Sequence, residues 1–189
     1  MNKLIHYLPC SIICHGESEL VLVLQLQNKY RRKLNPLSEK NGRSSIQINT
    51  INSFLNRRFP DKEDYIKQFG GIICLKSKKT IINHKLFSIM DKDQTSDTDY
   101  KAYLNRSLFN NYWWGKEGLI HPIYFYPDMD TVFTNHGFPI NKNKRKPAQY
   151  FKYLTTAFDD VVAMLLSLKP NESNIIELIL YLDSIINCS

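Results

Sequence analysis

The sequence predicts a single α/β domain from three observations. Short apolar runs alternate with longer helical patterns. Pro, Gly and Asn punctuate those runs. The chain's 189 residues suffice for one core and are few for two. A hydrophobic share of 43% with 23% charged residues belongs to a globular chain and excludes disordered, collagen-like and coiled-coil classes. The sequence contains no internal repeat and no low-complexity segment.

Cys10 to Cys14 (Cys-Ser-Ile-Ile-Cys) is an all-apolar run short enough for a buried strand, closed by the turn His15-Gly16. The next stretch, Leu20 to Gln27, alternates like a strand at its end, yet Leu20, Leu24 and Tyr30 share one helical face. Arg31, Arg32 and Lys33 suit the C-terminus of a helix, where the macrodipole favours cations, and a helix is preferred. A polar loop (Pro36 to Arg43) follows. Ile51, Phe54, Leu55 and Arg58 then have helical spacing, and Asp61 is a fitting N-cap for a further helix carrying Tyr65, Ile66 and Phe69.

Lys85 to Met90 reads as a strand ending at Asp91, and Tyr100, Tyr103, Leu104 and Leu108 predict a helix over roughly Asp99 to Asn110. Leu119 to Tyr126 is the last strand, and Pro122 within it calls for an edge position or a bulge. Phe151, Leu154, Phe158, Val161, Val162 and Leu165 make one apolar helical stripe. Ile175, Leu178, Ile179, Leu182, Ile185 and Ile186 make another after the break Lys169-Pro170-Asn171. Together these predict a core over about 8–137 and a C-terminal helical hairpin over about 147–187.

The net charge of +7 points to a polyanionic partner such as nucleic acid, although a basic but otherwise ordinary protein accounts for it as well. Lys76, Lys78 and Lys79 form one basic segment; Lys142, Lys144, Arg145 and Lys146 form another. Either can track a phosphate backbone or stand as a solvated loop. Four cysteines without CxxC or Cys/His zinc spacing read as reduced thiols. His6 and Pro9 interrupt the first apolar stretch, so no secretory signal is predicted. No apolar run approaches the ~20 residues of a membrane helix, and a cytoplasmic location is expected. The phosphate-binding GxxxxGK[ST] loop and a serine nucleophile elbow are both missing from the sequence.

Chemistry is best placed at Asp91 and Asp93. Side chains two apart in an extended chain point to one side, and two carboxylates past the end of a buried strand form a platform for Mg²⁺, which keeps most of its waters. Acidic residues also follow strands in many inert loops. Glu17 and Glu19 fall at the N-terminus of the first helix, where they serve as ligands or simply cap it. His84, His121 and His136 lack ligand spacing and read as structural. Tyr112-Trp-Trp114 reads as core packing, or else as a stacking surface for bases.

Three segments resemble one family. Ile13-Cys-His-Gly-Glu-Ser-Glu19 is similar to the opening ICEGESE of small RloB-like TOPRIM proteins, and Leu86 to Gln94 resembles their Asp-x-Asp strand. His121-Pro-Ile-Tyr124 through Asp128-Met-Asp130-Thr-Val-Phe, closed by His136-Gly137, resembles a third segment, with Asp130 in a Glu position. The resemblance, to a family that includes overcoming-lysogeny-defect nucleases, spans about residues 10–137. It implies a TOPRIM-like fold with a central, mostly parallel sheet flanked by helices. It further implies a metal-dependent nuclease acting on DNA or RNA, with a role in anti-phage defence and abortive infection.

In that reading Asp91, Asp93, Glu17 and Glu19 hold Mg²⁺ or Mn²⁺, and Asp91, Asp93, Glu17 and His15 carry the catalysis. The partners implied are nucleic acid, an AAA-type ATPase and a second copy of the chain, with no membrane. His15 stands where the family has Glu. That departure keeps a second expectation open, a catalytically degenerate regulatory subunit that binds nucleic acid or protein. A third is an unrelated α/β interaction domain.

Overall fold

The computed structural model describes residues 10–69, 74–75, 80–81, 83–92, 95–139 and 152–187. Its centre is a four-stranded, all-parallel sheet flanked by helices, an α/β fold. In chain order the elements begin with β1 (Cys10–Cys14), α1 (Glu17–Tyr30), β2 (Pro36–Leu37), α2 (Ile51–Arg58) and α3 (Lys62–Gln68). A small antiparallel pair follows, β3 (Cys74–Leu75) and β4 (Thr80–Ile81). Then come β5 (Lys85–Asp91), α4 (Asp97–Leu104), α5 (Trp113–Lys116), β6 (Ile120–Phe125) and α6 (Met129–Asn135). The described chain closes with α7 (Lys152–Thr156), α8 (Phe158–Ser167) and α9 (Ile176–Asn187).

The strand order is β2-β1-β5-β6. Strands at the centre of a parallel sheet are covered on both faces, which is why β1 is apolar at almost every position and buried throughout. Alternation then sorts the side chains into two cores. Cys10, Ile12 and Cys14 of β1 share one face with Phe87 and Ile89 of β5 and Ile123 and Phe125 of β6. That face is covered by α1, α6, α8 and α9, through residues such as Leu22, Leu26, Phe133, Leu165 and Leu178. Ile13, Leu86, Met90 and Ile120 point to the other face, where Ile51, Leu55, Tyr65, Tyr103 and Trp114 cover them.

The helix preferred over the ambiguous 20–27 stretch is α1. Its buried positions, Leu22, Val23 and Leu26, recur at helical spacing. The helix expected over Asp99–Asn110 is shorter. Ser96 caps it by accepting from the Asp99 amide, and it ends at Leu104 because Arg106 adopts a left-handed conformation with φ 67°. Asp61 caps α3 as expected, its carboxylate accepting from the Asp64 amide. Tyr112, Trp113 and Trp114 pack inward: Trp114 is fully buried and donates its indole N–H to Asn52, so these rings belong to the second core. Gly115 is required there, because a Cβ would lie 2.0 Å from the Phe109 carbonyl oxygen.

Pro122 sits in an edge strand, as its missing N–H demands. The outer side of β6 is not bare. Asn174 accepts from the Tyr124 amide (2.9 Å) and donates to the Pro122 carbonyl (3.0 Å), and Ser173 bridges Phe125 in antiparallel sense. Phe151 lies outside the described residues; from Leu154 to Leu165 and from Ile175 to Leu182 the two C-terminal stripes pack on the first core. The segment joining α8 to α9 turns at Lys169–Ser173, where the Lys169 carbonyl accepts from the Glu172 and Ser173 amides, and docks on β6 through Ser173 and Asn174.

One buried phenol ties α4 to the sheet. The Tyr103 hydroxyl donates toward the Ser88 carbonyl (2.7 Å) and the Ile123 carbonyl (2.9 Å), and lies 2.9 Å from Ser88 Oγ. Tyr103→Phe keeps the ring and strands Ser88 Oγ without its partner. Urea denaturation should show a loss of about 1–2 kcal/mol, with an unchanged slope against denaturant.

Candidate functional site

In an open parallel sheet, a crevice forms at the carboxyl ends of two adjacent strands whose connections leave in opposite directions. Here those strands are β1 and β5. From β1 the chain passes through α1 to β2 on one side, while β5 lies on the other. The β1–β5 register pairs Cys14 with Ile89, and the ladder runs one step further, the His15 amide donating to the Ile89 carbonyl at 3.0 Å. His15 and Asp91 therefore emerge side by side.

Asp91 continues the Phe87 and Ile89 series, so alternation directs its side chain to the face covered by α1 and α6. Its Oδ1 accepts from the Met129 amide at 3.0 Å, in the first turn of α6. Oδ2 lies 4.0 Å from His15 Nε2. The other imidazole nitrogen, Nδ1, is 3.0 Å from the Ile46 carbonyl. A carbonyl only accepts, so Nδ1 carries the proton, and in the neutral ring Nε2 presents a lone pair towards Asp91. Both side chains are buried.

Glu19 is the buried acid of the first turn of α1. It is 2% exposed, and its Oε2 accepts from the Gly16 amide at 2.7 Å. Burial pushes its carboxyl above the ordinary 4.5; His15 and the Gly16 amide pull back, and Asp130 adds to the rise. Ser18 reaches across to α6, donating to Asp130 Oδ1 at 3.1 Å. Glu17 is exposed and joins none of these contacts among the described residues. Burial, desolvating the thiol, drives Cys14 far up, and Glu19 adds to it, so that sulfur is an inert core atom.

The loop that supplies the Ile46 carbonyl is strained. Lys40, Asn41 and Gly42 all have positive φ, at 47°, 56° and 81°. A Cβ at Gly42 would lie 2.9 Å from Glu17 Cα, so this turn is pressed against the start of α1. Left-handed non-glycine residues cost roughly 1–2 kcal/mol each, and such strain collects beside functional sites.

No family model, curated protein or solved structure matches the chain. Of the residues named from sequence, the structure brings His15, Glu19 and Asp91 into one crevice and leaves Glu17 outside it. Asp93, Lys142, Lys144, Arg145, Lys146, Lys76, Lys78 and Lys79 lie outside the described residues. Among those described, no three or more His, Cys, Asp or Glu side chains converge in a group suited to a metal ion. His84 hydrogen-bonds Ser11 at 3.0 Å, and His136 pairs with Glu172 at 2.7 Å, in keeping with structural roles.

The sequence reading missed the Ile46 carbonyl, Ser18 and the Met129 amide as parts of the site. The one available signal was Asp128, whose carboxylate accepts from the Thr131 amide at 2.7 Å and marks where α6 starts beside the end of β6.

Because the folded chain holds the Glu19 proton more tightly, it keeps more protons bound than the unfolded chain does between pH 4.5 and the raised value. Stability falls through that window. Glu19→Gln keeps an acceptor for the Gly16 amide and removes the ionisation. Thermal denaturation across pH 4 to 8 should show a higher midpoint for the variant at neutral pH and a flatter profile.

Proposed function

We propose that the chain is a metal-dependent nuclease whose site is the crevice at the ends of β1 and β5, with Mn²⁺ favoured over Mg²⁺. One observation carries this reading: His15, oriented through Nδ1 by the Ile46 carbonyl, turns Nε2 towards the Asp91 carboxylate 4.0 Å away. A metal-binding histidine is commonly held in this way, its second nitrogen donating to a backbone carbonyl that fixes the tautomer. An imidazole beside a carboxylate suits Mn²⁺ better than Mg²⁺, and either ion keeps several waters and needs few protein ligands.

Asp91 and His15 would hold the ion, with Asp93 close by in sequence. When bound, the ion supplies charge stabilisation at the phosphate and lowers the pKa of a bound water. Glu19, buried beside His15 with its carboxyl pushed up, is placed to hold or release a proton as the general acid or base. The Met129 amide keeps Asp91 in position through Oδ1. The charge of +7 supports a polyanionic substrate, DNA or RNA.

A second reading, a regulatory subunit that binds nucleic acid without cutting it, has one observation in its favour. The Glu19 carboxylate already serves the Gly16 amide and so is partly spent on capping α1.

Plasmid DNA and structured RNA incubated with Mn²⁺, Mg²⁺ or EDTA separate the two. Cleavage should appear with Mn²⁺, weaken with Mg²⁺ and vanish with EDTA, and Asp91→Asn should slow it at least about a hundredfold. Cleavage that survives EDTA would sink the metal dependence, and cleavage that survives Asp91→Asn would sink the crevice as its site. Binding without cleavage in either metal selects the regulatory subunit.

A further inference from the structure

The carboxyl edge of the sheet carries two features that the crevice does not use, one on each side of it. On the β2 side, the 39–46 loop and α2 enclose a cavity of about 320 Å³. Its wall offers the cations Lys40 and Arg57 and the hydroxyls of Ser44, Ser45, Thr50 and Ser53. Arg57 is paired with Glu39, so the wall has one positive charge in excess; the Thr50 hydroxyl donates to the Gln47 carbonyl, and the hydroxyls of Ser44, Ser45 and Ser53 beside the cations complete the chemistry that receives a phosphate. Its wall is continuous with the crevice: Ile46 lines the cavity, accepts from His15 Nδ1 and donates its amide to the His15 carbonyl at 2.8 Å.

On the β6 side stands Tyr126, the residue after the cross-strand partner of Asp91. The residue is 47% exposed although its backbone is fixed, its amide donating to the Glu172 carbonyl at 2.8 Å. Tyr100 braces it from α4, with ring centroids 6.4 Å apart, and Tyr124 packs edge-on against Tyr100 at 6.0 Å. Lys92, next to Asp91, holds its ammonium 5.8 Å from the Tyr126 ring centre and 2.8 Å from Asp97. The local charge is balanced, so a neutral planar group fits this surface better than a phosphate does. An unpaired base is such a group, and stacking on an aromatic face is worth about 1–3 kcal/mol per base.

Across the sheet the cavity falls on the β2 side and the ring on the β6 side, with the ends of β1 and β5 between them. Ile46 and Phe54 of the cavity and Tyr100, which braces the ring, belong to the face covered by α2 and α4, whereas Asp91 points to the face covered by α1 and α6. Neighbouring strands lie about 4.8 Å apart, so β2 to β6 spans about 14 Å, the reach of a few nucleotides. We infer that this edge is a track for single-stranded nucleic acid, with a backbone phosphate in the Lys40–Arg57 cavity and an unpaired base stacked on Tyr126. Bases inside a duplex keep their faces covered and cannot occupy that ring. The inference rests on the nucleic-acid part of the proposed function and defines its substrate class as single-stranded; Tyr126 and Arg57 act in binding and positioning.

Fluorescence anisotropy tests it with single-stranded and duplex oligonucleotides of the same sequence, in the Asp91→Asn background so that no probe is cut. Tyr126→Ala should weaken single-strand binding about tenfold, and Tyr126→Phe, which keeps the ring, should restore it. Arg57→Ala should weaken the same probe and reduce the slope of log affinity against log salt by about one. Both residues are surface-exposed, and circular dichroism checks that each variant is folded. Single-strand binding that is unchanged in Tyr126→Ala or in Arg57→Ala overturns the track, as does an equal loss for duplex. Because cleavage is not the readout, a chain that binds in this way but cuts nothing removes the nuclease reading and leaves the track standing.

Discussion

The parallel pairing of β1 with β5 is the constraint on which the rest of the structure depends. The side chain of Asp91 follows those of Phe87 and Ile89, and His15 leaves the strand directly after Cys14, so the register Cys14↔Ile89 sets the two cores and the crevice together. A slip of one residue would exchange every apolar side chain of β5 between the two faces and turn Asp91 away from α6. The core thus enforces the site. Burial on both faces makes the alternative register costly, and the polar residues at the strand ends are carried along by hydrophobic side chains.

Order at the crevice comes at a cost in stability. A carboxylate is buried at Glu19, and three consecutive residues occupy left-handed backbone at Lys40, Asn41 and Gly42, in the turn pressed against the start of α1. Each cost has a local compensation: the Gly16 amide faces Glu19, and the turn brings the Ile46 carbonyl to the imidazole. The site is held mainly by main-chain groups, whose positions are fixed by the sheet and by α1. Main-chain groups orient a side chain with less freedom than another side chain would, which is why the tautomer of His15 can be assigned from geometry alone.

Much of this was legible in the sequence, for identifiable reasons. Strand β5 is an apolar run bounded by charges, and the edge position of β6 follows from Pro122. The helical stripes of α8 and α9 are continuous enough to read directly. Strand β2 could not be read, because two residues carry no periodicity and their pairing is set wholly by β1. The early end of α4 at Leu104 depends on a left-handed Arg106, and arginine gives no hint of it. At the site, Asp91 and His15 were accessible as the ends of strands. Choosing Glu19 over Glu17 was not, since both fall in the first turn of α1 and only the packing of α6 against it decides which carboxylate is enclosed. The Ile46 carbonyl is invisible in principle, because any residue type supplies one.

Asn174 has a consequence beyond the architecture. A strand at the rim of a sheet exposes a ladder of unpaired amides and carbonyls, which invites another chain to add itself. Here a single side-chain amide occupies that ladder, donor to acceptor and acceptor to donor, at Pro122 and Tyr124, and Ser173 pairs with Phe125 beside it. Asparagine in this position is a surrogate strand one residue long. It seals the β6 rim against intermolecular sheet growth, a built-in guard against fibrous aggregation.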